Sequence, residues 1–146
     1  METVRELLAA KPRQGVVSAP PGASVRDATV LMNEHGIGSL LIVDGGRVVG
    51  MFTERDVLRR VVAECRSPDT TPVSAVMTTD VIRCDPDTDV EQVADLMRRR
   101  RVRHVPVVDP DERVVGLVSI GDVNALRFAR SETTLQFMEE YVFRRA

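Results

Sequence analysis

The feature that most restricts the fold is an internal repeat. Pro21-Gly22-Ala23-Ser24-Val25-Arg26-Asp27-Ala28-Thr29-Val30-Leu31-Met32, moved by 65 positions, overlies Pro86-Asp87-Thr88-Asp89-Val90-Glu91-Gln92-Val93-Ala94-Asp95-Leu96-Met97, with Pro, Val, Leu and Met coinciding. Further on, Leu40-Leu41-Ile42-Val43-Asp44 overlies Val105-Pro106-Val107-Val108-Asp109. After a one-residue slip, Arg47-Val48-Val49-Gly50 overlies Arg113-Val114-Val115-Gly116, and Thr53-Glu54-Arg55-Asp56-Val57 overlies Ser119-Ile120-Gly121-Asp122-Val123. Solenoid units run to about 50 residues at most, so a period of this length reads as two copies of a small α/β motif.

Each copy predicts the same elements. Val25, Ala28, Leu31 and Met32, like Val90, Val93, Leu96 and Met97, step by three and four along one helix face, with Ser24 or Asp89 as N-cap. Leu40 to Val43 and Val105 to Val108 are continuous apolar runs, the pattern of strands covered on both faces. Asp44-Gly45-Gly46 and Asp109-Pro110-Asp111-Glu112 suit hairpin turns into strands at Val48 to Phe52 and Val114 to Val118, and a helix opens at Thr53 or Ser119. Gly15-Val16-Val17 and Asp80-Val81-Ile82 supply an earlier strand each. The fold class is therefore α/β (α+β): two β-α-β-β-α repeats related by pseudo-twofold symmetry. The expected division is 1–65, a linker at 66–71, 72–130, and a C-terminal helix at 131–146 with apolar Leu135, Met138 and Val142.

Composition removes several function classes. The 146 residues are 43% apolar and carry 20 basic against 22 acidic side chains, enough for a real core and without net pull toward polyanions. Phe52, Phe128, Phe137, Tyr141 and Phe143 are the only aromatics, few for stacking bases, so nucleic acid is an unlikely partner. Cys65 and Cys84 form no CxxC pair and His35 and His104 are the only imidazoles, so neither disulfide nor metal is expected. Cys84 reads as a small core residue. No apolar run approaches the roughly 18 residues that cross a bilayer, and Met1-Glu2-Thr3-Val4-Arg5-Glu6 is charged where a signal peptide is apolar; no membrane and a cytoplasmic location are expected. Among the 20 basic residues only Lys11 is lysine.

Two features carry chemistry. Thr53-x-x-Asp56 and Ser119-x-x-Asp122 stand at strand-to-helix corners, where a hydroxyl and an acid cap the helix and complement its dipole. The same groups keep spare lone pairs, a helix N-terminus attracts anions, and a carboxylate can accept from both hydroxyls of a ribose. The second feature is Arg98-Arg99-Arg100-Arg101-Val102-Arg103-His104-Val105-Pro106. Arginine at a helix C-terminus is commonly a solvated complement to the dipole, but Arg103 and His104 lie at the mouth of a strand, where guanidinium grips phosphate. Pro106 has no N–H and leaves a neighbouring edge open to a planar base. No nucleophile with an adjacent base, phosphate loop or metal cluster is present, so no catalysis is expected.

These residues resemble a known family. The doubled unit, the corners Gly50 to Asp56 and Gly116 to Asp122, and Arg103-His104-Val105-Pro106-Val107 look like a tandem CBS-domain pair, the Bateman module, over roughly residues 3 to 128, and in particular like stand-alone bacterial CBS-pair proteins. The resemblance implies a regulatory module that binds AMP, ADP, ATP or NAD(H) in two clefts between the repeats. Carried over, Thr53 and Asp56 hold one ribose, Val81, Ile82, Val102 and Pro106 its base, and Arg103 and His104 its phosphate. Ser119 and Asp122 hold the other ribose, Val16, Val17, Ile37 and Ser39 its base, and Arg55 its phosphate. By phosphate donors the Asp56 cleft should be the tighter. A homodimer is implied, with Leu135, Met138 and Val142 either extending the contact or folded onto their own domain, and an effector protein that the sequence does not identify. The competing reading is a protein or nucleic-acid interaction adaptor using the Arg98 to Arg103 cluster.

Overall fold

The computed structural model describes residues 2–11 and 15–145. The chain runs α1 (Val4–Ala10), β1 (Ser18–Ala19), α2 (Val25–His35), β2 (Ser39–Asp44), β3 (Arg47–Thr53), α3 (Glu54–Asp56), a π-helical stretch (Val57–Val62), a 3-10 turn (Val73–Ala75), α4 (Val90–Arg100), β4 (His104–Val108), β5 (Val114–Ser119) and α5 (Ile120–Arg145). The caps read from the sequence form: Ser24 Oγ accepts from Asp27 N at 3.0 Å and Asp89 Oδ1 from Glu91 N at 2.9 Å. The first hairpin turns on Gly45 and Gly46, both at positive φ (59° and 84°), which two adjacent residues of a tight strand-twist-matched turn require. In the second, the Asp109 carboxylate accepts from the backbone N–H of Asp111 and Arg113, each at 2.9 Å.

One sheet orders β1-β2-β3 and the other β4-β5. The expected early strands lie later than Val16-Val17 and Val81-Ile82. Ser18 and Ala19 pair in parallel with Leu41 and Ile42, and in the second repeat only Cys84 bridges Val107. Pro106 explains the shortfall. Cys84 N donates to Pro106 O (3.0 Å) and Val108 N to Cys84 O (2.9 Å), but the next parallel bond back needs an N–H at 106. Leu41 has one where Pro106 has none, so the segment holding Val81 and Ile82 runs past β4 unpaired.

The two cores do not follow the order of the chain. Val4 and Leu7 of α1 pack with Val90, Val93, Met97 and Val105 of the second repeat, whereas Val73 and Val76 pack with Val25, Met32, Leu40 and Phe52 of the first. Backbone bonds fix both crossings: Val4 N to Thr88 O and Val90 N to Glu2 O on one side, Val73 N to Ala23 O and Val25 N to Thr71 O on the other. Each repeat is thus completed by the segment that precedes the other. The crossing segments lie so close to the sheets that a side chain at Gly50 or Gly116 would have to displace Met77 or Leu8. A Cβ at Gly116 would stand 2.5 Å from Leu8 Cδ1 and 2.8 Å from Cδ2, and one at Gly50 would overlap Met77 Sδ.

The expected extra helix at 131–146 is not separate. α5 continues without a break from Ile120 to Arg145, and Ala146 lies outside the described residues. Nor does it fold back on its own repeat: Leu135, Met138 and Val142 are 58%, 61% and 64% exposed. Among the described residues no helix is long and apolar enough to cross a membrane. Cys84 is buried, and burial together with the Asp85 charge pushes its thiol up to about 11, an inert core group; Cys65 is exposed.

Gly116→Ala is expected to destabilise the chain by about 1–3 kcal/mol through overpacking. Leu8→Ala in the same chain should return part of that loss in a denaturant titration, and additive losses would show that the contact does not limit position 116.

Candidate functional site

Both corners form, and each is a reciprocal cap. Thr53 Oγ1 accepts from Asp56 N (3.2 Å) while Asp56 Oδ2 accepts from Thr53 N (3.0 Å); Ser119 Oγ and Asp122 N, Ser119 N and Asp122 Oδ2 repeat this at 3.1 and 2.9 Å. The capping reading therefore holds at both places, and it leaves each carboxylate with unused acceptor sites. The surroundings differ. Asp56 is buried, with Arg60 Nε 3.7 Å from Oδ1 and the Arg60 guanidinium also donating to the carbonyls of Val76 and Met77. Asp122 is met by Lys11, whose Nζ lies 2.9 Å from Oδ2 and donates to Leu117 O at 2.9 Å. Sequence reasoning missed Lys11. Its signal was slight, the single lysine at the end of the helix that crosses to the second repeat.

Between the corners the repeats meet along their pseudo-twofold axis. Ser39 and His104 occupy the same place in the two copies, and Ser39 Oγ lies 3.1 Å from His104 Nδ1. Each stands across its hairpin from a corner hydroxyl, Ser39 opposite Thr53 and His104 opposite Ser119. Burial pushes the His104 imidazole below its ordinary value; Lys11 and Arg103 push the same way, and Asp122 opposes them. The strand mouths are tied to the helix starts by Glu54 N to Gly38 O (3.0 Å) and Ile120 N to Arg103 O (2.8 Å).

A cavity of about 880 Å³ opens beside this axis. Val102, Arg103 and Ile120 line it with Arg55 from the first repeat and Arg98, Arg101 and Arg127 from the second. It unites Arg55 and Arg103, which the sequence reading places at different phosphates. Thr53, Asp56, Ser119 and Asp122 lie outside its lining, although Ile120 carries it to the edge of the second corner. Of the residues expected around bases, Val17 and Ile37 pack against the first core and Val102 against the second. Val16, Val81 and Ile82 are half-buried, and Pro106 is buried within β4. Among the described residues no three His, Cys, Asp or Glu side chains gather into a metal-binding group.

The CBS domain family model matches residues 4–63 and 73–127, and the chain belongs to that family. Solved relatives share the architecture. A CBS-domain protein of Burkholderia ambifaria is 39% identical with a TM-score of 0.81, the alignment covering 88% of this chain and 95% of that one. A CBS domain pair in complex with 5′-methylthioadenosine and S-adenosyl-L-methionine is 29% identical (TM-score 0.77; 89% and 98% covered). A CBS domain protein of Pyrobaculum aerophilum complexed with AMP is also 29% identical (TM-score 0.73; 83% and 89% covered).

Because the folded His104 holds a proton less readily than the unfolded chain does, stability is full above the ordinary imidazole value near 6.5 and falls as pH drops through and below it. Denaturant midpoints compared at about pH 7.5 and about pH 5 should fall further for the unsubstituted chain than for His104→Gln. Equal falls would show that the imidazole does not titrate with this sign.

Proposed function

We propose that the chain is a non-catalytic regulatory module that binds adenine nucleotides and works as a homodimer. The observation that carries this reading is the duplicated corner: a hydroxyl and a carboxylate at a helix N-terminus, set at the same register position in both repeats. Such a corner offers acceptors to a ribose diol beside the positive end of a helix. The solved relatives that hold AMP or S-adenosyl-L-methionine share the adenosyl group. An arginine-lined cavity next to the corners favours a phosphate over a sulfonium, which is itself a cation. The same clustering speaks against an extended polyanion or acidic protein as ligand. Arg98 and Arg99 are paired with Asp95, and the arginines that line the cavity are focused on one concave space.

The dimer reading rests on apolar surface. Leu58, Val62 and Phe128 are about two-thirds exposed, and the α5 stripe of Leu135, Met138 and Val142 adds to them; twofold pairing is the common way to cover such faces. The location follows the sequence reading, a cytoplasmic chain, and the effector is the protein that reads the bound state.

AMP at about 100 times its Kd should stabilise the fold by about 2.7 kcal/mol, visible as a rise in Tm, and GMP should give no comparable rise. Asp56→Asn and Asp122→Asn keep an acceptor for the cap and remove the charge; each is expected to weaken AMP at its own corner by about tenfold, measured by calorimetry. Absence of a shift with every adenine compound would overturn the reading.

A further inference from the structure

Five guanidiniums line the cavity, but they are not equivalent. Arg98 is held by Asp95, and Arg127 by Glu91 at 2.9 Å. Arg55, Arg101 and Arg103 make no ion pair among the described residues. Asp95 and Glu91, the acids of the lining, are taken up by these pairs, so three uncompensated cations remain around one concave space whose size suits a whole ligand.

The repeat shows what the second copy of this space would look like. Under the alignment of the two copies, Arg101 falls on Gly36, Arg103 on Gly38 and Arg55 on Gly121. All three cations stand where the other repeat has glycine. At Arg101 the exchange is conspicuous, because both residues end a helix in the left-handed region, Gly36 at φ 61° and Arg101 at φ 55°. That conformation disfavours a side chain, and the first repeat shows that glycine serves as the cap. The counterpart space also carries an acid. Ile120 falls on Glu54, whose carboxyl carbon lies 3.2 Å from where a Cβ of Gly38 would be.

We infer that the chain has one cleft that takes a nucleoside di- or triphosphate, with Arg55, Arg101 and Arg103 on the phosphate chain, while its pseudo-symmetric counterpart refuses extra phosphates. This rests on the adenine-nucleotide reading for the base and ribose, but not for the phosphates. A monophosphate brings about two negative charges, which three guanidiniums exceed; a second and third phosphate supply the rest and give each guanidinium its own oxygens.

Calorimetry with ATP, ADP, AMP, adenosine and inorganic tripolyphosphate tests this on the full chain. One ATP per chain is expected, bound at least tenfold more tightly than AMP. Arg101→Gly and Arg103→Gly restore the residues of the first repeat, and each should lower ATP affinity by about tenfold while leaving adenosine unchanged. Arg101→Gly should also unfold no earlier than the unsubstituted chain, which separates lost binding from lost folding. Equal affinity for AMP and ATP, two ATP per chain, or an ATP preference that survives both substitutions would overturn the inference. Tripolyphosphate bound in an Arg101-dependent way with no adenine compound bound would uphold the cavity assignment and overturn the adenine reading alone.

Discussion

The constraint on which the rest depends is the exchange of leading segments between the repeats. Either repeat alone has a helix, a hairpin and one open face, too little apolar surface to close a core. α1 closes the second repeat through Val4 and Leu7, and the segment from Val73 to Val76 closes the first. The close approach at Gly50 and Gly116 is the steric expression of this arrangement. The exchange also brings Lys11 to Asp122, a residue 111 positions away in a chain of 146, so the surroundings of the second corner are set by the first residues of the chain.

At the corners the helix cap and the proposed ribose site share the same atoms. Capping uses one oxygen of each acid and the hydroxyl of its partner, and both copies satisfy those bonds completely. What distinguishes the copies is the second sphere of charge, Arg60 at a buried Asp56 and Lys11 at a more open Asp122. Equivalent motifs in a duplicated chain need not be equivalent sites.

Much of the fold was legible because periodicity and turn chemistry are local. The helices at Val25 and Val90, both hairpins and both caps follow from residue order alone. The failures are non-local. Val81-Ile82 has the composition of a strand, but whether it pairs depends on a proline 24 residues further on. The expected boundary between 130 and 131 does not exist: Ser131, Glu132, Thr133 and Thr134 continue the helix, with Thr133 and Thr134 bonding back to the carbonyls four residues earlier. For the site, residue types were readable and their grouping was not. Arg55 and Arg103 carry the right chemistry, but only the packing of one repeat against the other puts them in one cavity.

α5 deserves its length considered as a distance. Its 26 residues, at a rise of about 1.5 Å each, span about 39 Å, more than the roughly 30 Å width of a small domain. A rod of that length cannot rest wholly on the repeat that starts it. Its first turns are nucleated by the Ser119 and Asp122 cap and anchored by buried Val123, and helix growth from an existing nucleus is far easier than a fresh start. The far half, with its exposed apolar stripe, is therefore an arm whose register and direction are fixed at the corner, so that the Asp122 carboxylate and the distant end of the helix are two stations on one continuous hydrogen-bonded rod.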